Sequence, residues 1–418
     1  MGGYFDRLET VSREERRAEQ DRKIAGMVEL GYEKSSRVKR ILDERGLTPA
    51  DVQGVDDLVK LPVISRERVV ALQAQQPPYG GLEDPGAPVE RIFTSPGPVY
   101  EPHLGSSDPL WARGYKAAGF GPGDVVLNAF SYHMVAAGLT FHGGLTRVGA
   151  TVVPSGASSA QLQVQLIRDL HVTGYTGTPS FLMAIIEKAG ELGFDFARDF
   201  SLRRASFVAE PLQPSLRQRF ETEFLIDTYQ MYGATEVGDV AYECSEKQGW
   251  HLCEEVIVEI VDPATGAPVA AGELGEVVVT RLNPVFFLLR FGTGDLSSLV
   301  EAPCPCGRTS RRLSGIAGRV GDAVKVRGMF VAPSQVRRVA ESFPGLAVEL
   351  VVTRKGHRDF LLARLDPRGG EKDLKGLKAR FEKVFQETCT VRVDEVEFAL
   401  PGSLAPDAKP LRDEREWK

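Results

Sequence analysis

The sequence predicts an α/β protein of two or three domains, and three changes of texture along its 418 residues carry that prediction. Between residues 91 and 177, short β-branched runs alternate with helical segments, the pattern of parallel strands covered on both faces. From about 251 to 315 strands follow one another without helices, as in an antiparallel meander or small barrel. From about 322 onward strands and helices mix in an order that suits a small α+β domain.

Residues 4 to about 75 place apolar side chains at helical spacing, as in Ile24, Met27, Val28 and Leu30, then Val38, Ile41 and Leu42. Leu61-Pro62-Val63 interrupts this helical region and Pro77-Pro78-Tyr79-Gly80-Gly81 ends it. Buried strands are expected at 91–94, 124–128, 150–153 and 174–177, with a helix over 159–170 between the last two. Residues 256–261 and 276–280 read as meander strands, with the turn Asp262-Pro263-Ala264-Thr265-Gly266 between them. In the last stretch helices are expected over 334–343 and 371–385, and strands at 347–353, 360–365 and 390–398.

Composition narrows the function. Basic and acidic residues give 51 − 57 = −6, a mildly acidic balance that argues against nucleic-acid or membrane partners, both of which are anionic. The mixed-sign stretch from Arg13 to Lys23 suits a solvated helix. The start lacks an apolar signal region, and no run of about 18 apolar residues occurs. Five cysteines in this length are too sparse for a disulfide scaffold. A cytoplasmic location is expected.

Several short segments carry chemistry. In Tyr232-Gly233-Ala234-Thr235-Glu236 an aromatic face suits a purine, a glycine permits close backbone approach, and a carboxylate is a hard Mg²⁺ ligand. A plain turn would read the same in isolation. In Phe291-Gly292-Thr293-Gly294-Asp295-Leu296 the carboxylate could accept two hydroxyl donors or simply close a Gly-rich turn. Gly318-Arg319-Val320-Gly321-Asp322 and the following residues to Gly328 form a third segment. Val208-Ala209-Glu210-Pro211 and Gly177-Thr178-Pro179-Ser180 are two more.

In this order the segments resemble the signature motifs of the adenylate-forming enzymes, in the phenylacetate–CoA ligase branch. The resemblance runs along most of the chain from Leu61-Pro62-Val63-Ile64-Ser65-Arg66. It implies a large adenylate-forming domain over 1–320 and a mobile C-terminal lid domain over 321–418, hinged at Gly321, where a glycine absorbs large backbone changes. It implies that Tyr232, Gly233, Ala234, Ala209, Glu210 and Pro211 surround adenine, that Asp295 holds the ribose, and that Arg319 contacts ribose or phosphate. Thr235 would touch the α-phosphate, Glu236 bind Mg²⁺, and Lys409 serve the acid and α-phosphate during adenylation. The implied activity joins a small carboxylic acid, of aryl type, to coenzyme A with ATP, through an acyl-adenylate. His133 and Met134 stand where the acid pocket begins. A homodimer is one of the oligomeric states left open.

One stretch departs from that family. Where its phosphate loop is rich in Ser, Thr and Gly and carries a Lys, this chain has Thr94-Ser95-Pro96-Gly97-Pro98-Val99-Tyr100-Glu101-Pro102. The prolines remove backbone donors and Glu101 stands where the Lys would be. The alternative reading this opens is a nucleotide- or acyl-binding protein without ligase turnover.

Cys304-Pro305-Cys306 is a C-x-C knuckle, and Cys244 with His251 precede it by some fifty residues. Together they make a Cys₃His set suited to structural Zn²⁺, with Cys253 as a substitute member; four unconnected cysteines is the plain alternative. Cys389 is expected in a core.

Overall fold

The computed structural model describes residues 3–95, 99–103, 110–327, 329–355, 358–368, 373–405 and 409–415. Contacts divide the chain into two units. The first comprises 1–259, 278–293 and 300–314; the second comprises 260–277, 294–299 and 315–418.

The first unit is organised by a nine-stranded sheet. Thr151–Val153, Val125–Asn128, Gly174–Gly177, Arg204–Phe207 and Asp227–Ala234 run parallel in that spatial order. The predicted strands at 124–128, 150–153 and 174–177 all lie here. The sheet then turns antiparallel through Gly238–Glu243, Trp250–Leu252 and Arg312–Leu313, an extension that the sequence reading did not anticipate.

Helices Ala136–Arg147, Ala160–Asp169, Pro179–Glu191 and Pro214–Thr222 return the chain between these strands. Their starts follow from local chemistry. Ser159 accepts the Leu162 N–H, while Thr178 accepts the Phe181 N–H and Pro179 stands at the first helical position. The core between helices and sheet is fully buried at Leu127, Ile167, Tyr175, Leu182, Ile185, Phe207 and Phe220. Each such side chain contributes roughly 1.5–3 kcal/mol by leaving water.

The strand expected at 91–94 exists as Arg91–Ser95, but it pairs with Val99–His103 in an antiparallel two-stranded hairpin, apart from the parallel sheet. Its partner lies three residues downstream, where Pro96, Gly97 and Pro98 fall outside the described residues. The predicted N-terminal helices are Arg13–Lys34, capped by Ser12, and Ser36–Glu44. The meander strands are Val256–Val261 and Gly275–Arg281, next to Phe291–Ser297 in sheet order, and no closed barrel forms among the described residues.

The second unit holds a four-stranded sheet ordered Glu395–Phe398, Arg358–Pro367, Leu346–Lys355, Leu411–Asp413. Helices Pro333–Glu341 and Leu374–Cys389 pack on it through Val336, Val339, Phe381 and Phe385. This is the α+β arrangement expected. The second helix was expected to begin at 371, but residues 371 and 372 lie outside the described residues. The last strand is shorter than expected, because Thr390 ends the helix in a left-handed conformation. Cys389 is buried in this core as expected. Among the described residues no helix is long and apolar enough to cross a membrane.

Candidate active site

The first unit contains a cavity of about 160 Å³. Its apolar walls come from Phe93, Trp111, Phe130, Phe141, Val208 and Phe286, and its polar atoms from Glu101, His103, Thr140, Thr235, Glu236, Arg281 and Asn283. An apolar cavity of about 150 Å³ accommodates benzene, so one six-membered ring fits here. His133 and Met134, expected at the start of the acid pocket, do not line it. Both are exposed, Met134 at 61 %, and the helix that follows supplies Ala136, Ala137, Thr140 and Phe141 instead.

The carboxylates of Glu101 and Glu236 reach this cavity from different elements. Glu236 follows the Asp227–Ala234 strand, and its side chain is fully buried. Arg66 pairs with it: Nη2 donates to Oε2 at 2.9 Å, and Nε lies 2.9 Å from Oε1 as an ion-pair contact. The Thr235 hydroxyl donates to Glu236 Oε2 at 3.2 Å. Arg66 opens the helix Arg66–Gln75 directly after Ile64–Ser65, a strand paired in parallel with Phe291 and Gly292. That pairing aims Arg66 at the motif, a role that no local sequence signal marks.

Glu101 sits opposite Phe93 in the hairpin and is 6 % exposed. Burial, and then the Glu236 charge, push its carboxyl up to about 7, against the pull of Thr235, Ser95 and Arg66. Among the described residues its Oε1 has no hydrogen-bond partner. The adjacent residue is held firmly: the Gln73 amide donates to the Tyr100 carbonyl at 2.9 Å and accepts the Tyr100 N–H at 2.8 Å.

Gly233 is required by close approach. A Cβ there would lie 2.2 Å from the Gly238 carbonyl oxygen and 2.6 Å from Trp111 Cη2. Gly233, Ala234 and Ala209 line the cavity with Thr235 and Glu236. Tyr232 does not line it; the ring is buried and stacks on Trp250 at 5.9 Å between centroids. Ala209 has φ +71°, a conformation strained for any residue with a Cβ. Glu210 accepts from Ser180 Oγ at 2.9 Å, which ties the Ala209-Glu210-Pro211 loop to the start of the Pro179–Glu191 helix.

In the second unit Asp295 and Arg319 face each other across an antiparallel pair, with Arg319 Nη1 3.5 Å from Asp295 Oδ1. Asp295 is partly buried and Arg319 exposed. Lys409 is exposed, two residues before the Leu411–Asp413 strand.

Cys244, His251, Cys304 and Cys306 converge, their ligand atoms all within 4.8 Å of one another. Cys244 Sγ lies 3.7 Å from Cys304 Sγ, and Cys306 Sγ lies 3.3 Å from His251 Nε2. A tetrahedron with 2.3 Å Zn–S bonds has sulfur–sulfur edges of about 3.8 Å, so the set has the spacing of a structural Zn²⁺ site. Ser310 Oγ lies 3.3 Å from His251 Nδ1, leaving Nε2 for the cluster. Burial, with Arg308 and Arg312 nearby, pulls His251 down to about 3 and keeps the ring neutral. The pairing of 250–252 with 238–243 and 312–313 brings these distant residues together. Cys253 stands apart, its thiol 3.5 Å from Asp239 Oδ2.

Comparison with known proteins agrees with this picture. Residues 108–283 match the model of the AMP-binding enzyme family. The phenylacetate–coenzyme A ligase of Thermus thermophilus is 31 % identical over 98 % of this chain and 92 % of its own length. That of Escherichia coli is 33 % identical over 87 % of this chain and 85 % of its own. A 2-hydroxyisobutyryl-CoA ligase, solved in an open conformation with 2-HIB-AMP and CoA, superposes with a TM-score of 0.83. That likeness covers 98 % of this chain and 94 % of that one at 24 % identity, and it shows the shared fold. The chain belongs to the adenylate-forming, AMP-binding enzymes, in their phenylacetate–coenzyme A ligase-like branch.

Proposed function

We infer that this chain is an AMP-forming acid–coenzyme A ligase that activates a small aryl acid. The observation that carries this reading is the cavity whose aromatic walls end at the Thr235–Glu236 motif. A ring fits among Trp111, Phe130 and Phe141, with Thr235 lining the same cavity as the donor its carboxylate would meet. In the first half-reaction the acid attacks the ATP α-phosphate and pyrophosphate leaves. In the second, the CoA thiol attacks the acyl-adenylate and AMP leaves.

The residue roles follow the resemblance. Thr235 contacts the α-phosphate and Asp295, braced by Arg319, the ribose. Ala209, Glu210 and Pro211 border the adenine, and Lys409 serves adenylation. The residue types at the motif fit a magnesium ion: Glu236 would hold it, its carboxylate being a hard donor, and the ion would neutralise phosphate charge. Arg66 supplies positive charge beside the motif, where Glu101 stands in place of the family Lys. Movement of 321–418 about Gly321 lets one site serve two chemistries. Zn²⁺ on Cys244, His251, Cys304 and Cys306 is part of the same proposal, as a structural clip whose four protein ligands leave no open position.

Exchange of labelled pyrophosphate into ATP, dependent on an aryl acid, tests the reading. Exchange supports it. Measurable ATP binding without exchange for any acid refutes it and favours a binding protein without turnover.

A further inference from the structure

We propose that the acid carries a hydroxyl or amino group on the carbon next to its carboxylate, and that Glu101 Oε1 receives that donor. The inference rests on the ligase reading and narrows its substrate class.

The cavity is aromatic-walled, and Glu101 reaches into it with an oxygen that no hydrogen bond from the described residues satisfies, although the residue is 6 % exposed. A buried acceptor left unpaired is costly, so a ligand donor that reaches it gains the bond at no loss of a protein partner. Glu101 is also held in place. It lies mid-strand in the hairpin, opposite Phe93. Gln73 fixes the neighbouring Tyr100 backbone from both sides.

Position narrows the donor further. Thr235 lines the same cavity as Glu101, and its hydroxyl reaches Glu236. Thr235 marks the end of the cavity where the reacting carboxylate sits. A donor that meets Glu101 therefore belongs close to that carboxylate, on its neighbouring carbon, with the ring directed toward Trp111 and Phe141. A hydroxyl or ammonium would serve; an unsubstituted methylene would leave Oε1 unpaired. Sites built to receive a donor reject the analogue lacking it strongly, whereas an added methylene changes preference by only roughly 10- to 200-fold.

The test compares phenylacetate, both enantiomers of mandelate, and 2-phenylglycine on the full chain. Binding is measured by calorimetry with AMP present, and turnover by pyrophosphate exchange. Mandelate or phenylglycine should bind at least roughly tenfold tighter than phenylacetate, a factor well inside what one satisfied acceptor supports. Glu101→Ala should bring the ratio near unity. Glu101→Gln, which keeps an acceptor, should preserve preference for mandelate and lose it for the cationic amine. Phenylacetate binding as tightly as both substituted acids overturns the proposal, as does a ratio unchanged in Glu101→Ala or no binding of any acid. Exchange with phenylacetate but no donor preference leaves the ligase reading standing and sinks only this inference. Donor-dependent binding without exchange does the reverse.

Discussion

Replacing Glu101 with glutamine should stabilise the protein at alkaline pH and hardly change it in acid. The folded environment moves this carboxyl from 4.5 to about 7, which corresponds to about 3 kcal/mol. The folded state holds the proton more tightly than the unfolded chain does. It therefore binds more protons between pH 4.5 and 7, and stability falls as pH rises through that window. Glutamine fills nearly the same volume without titrating. The advantage of Glu101→Gln should be near zero below pH 4.5 and reach about 3 kcal/mol by pH 8. For a unit of this size that is a rise of roughly 5 °C or more in melting temperature. Tryptophan fluorescence melts at pH 5 and pH 8, without nucleotide, measure it. Equal melting temperatures at pH 8, or the same gap at both values, would show that Glu101 is not destabilised by burial and by Glu236.

Glu236→Gln removes the charge that Arg66 grips and the carboxylate assigned to magnesium; Mg²⁺-dependent pyrophosphate exchange should fall below roughly a hundredth of wild type. Retained exchange would refute the assignment. Cys304→Ser should reduce bound zinc, read by metal analysis, from about one equivalent to a few tenths or less. It should also lower the melting temperature, because the Tyr4 hydroxyl donates to the Cys306 carbonyl and Arg308 pairs with buried Glu9 beside the cluster. Wild-type protein with under a few tenths of an equivalent would contradict the site. Gly233→Ala drives a methyl into the Gly238 carbonyl and should abolish acid binding by calorimetry, while Ala234→Gly should retain it.

The legible parts of this protein are those fixed by local chemistry. The parallel strands at 125–128, 151–153 and 174–177 announce themselves as apolar runs between helices, and Ser159 and Thr178 mark helix starts by their side chains. Tyr232 to Glu236 was found as a motif because its residue types act together. The strand at 91–95 was legible as a strand but not by partner, since a β-branched run says nothing about what it pairs with. The Cys₃His set was legible as a composition, and only the pairing of 250–252 with its neighbours made it a cluster. Arg66 was out of reach because its link to Glu236 spans 170 positions. Glu101 could be seen in sequence only as a departure from a phosphate loop. Its burial and orphan oxygen depend on the hairpin and on Gln73, which no local pattern encodes.

The most direct measurement follows both products at once: AMP release and acyl-CoA thioester formation, with ATP, CoA and a panel of aryl acids bearing or lacking a donor beside the carboxylate. The account predicts one AMP per thioester with at least one acid and none when the acid is omitted. ADP in place of AMP, or AMP without any thioester across the panel, would contradict it.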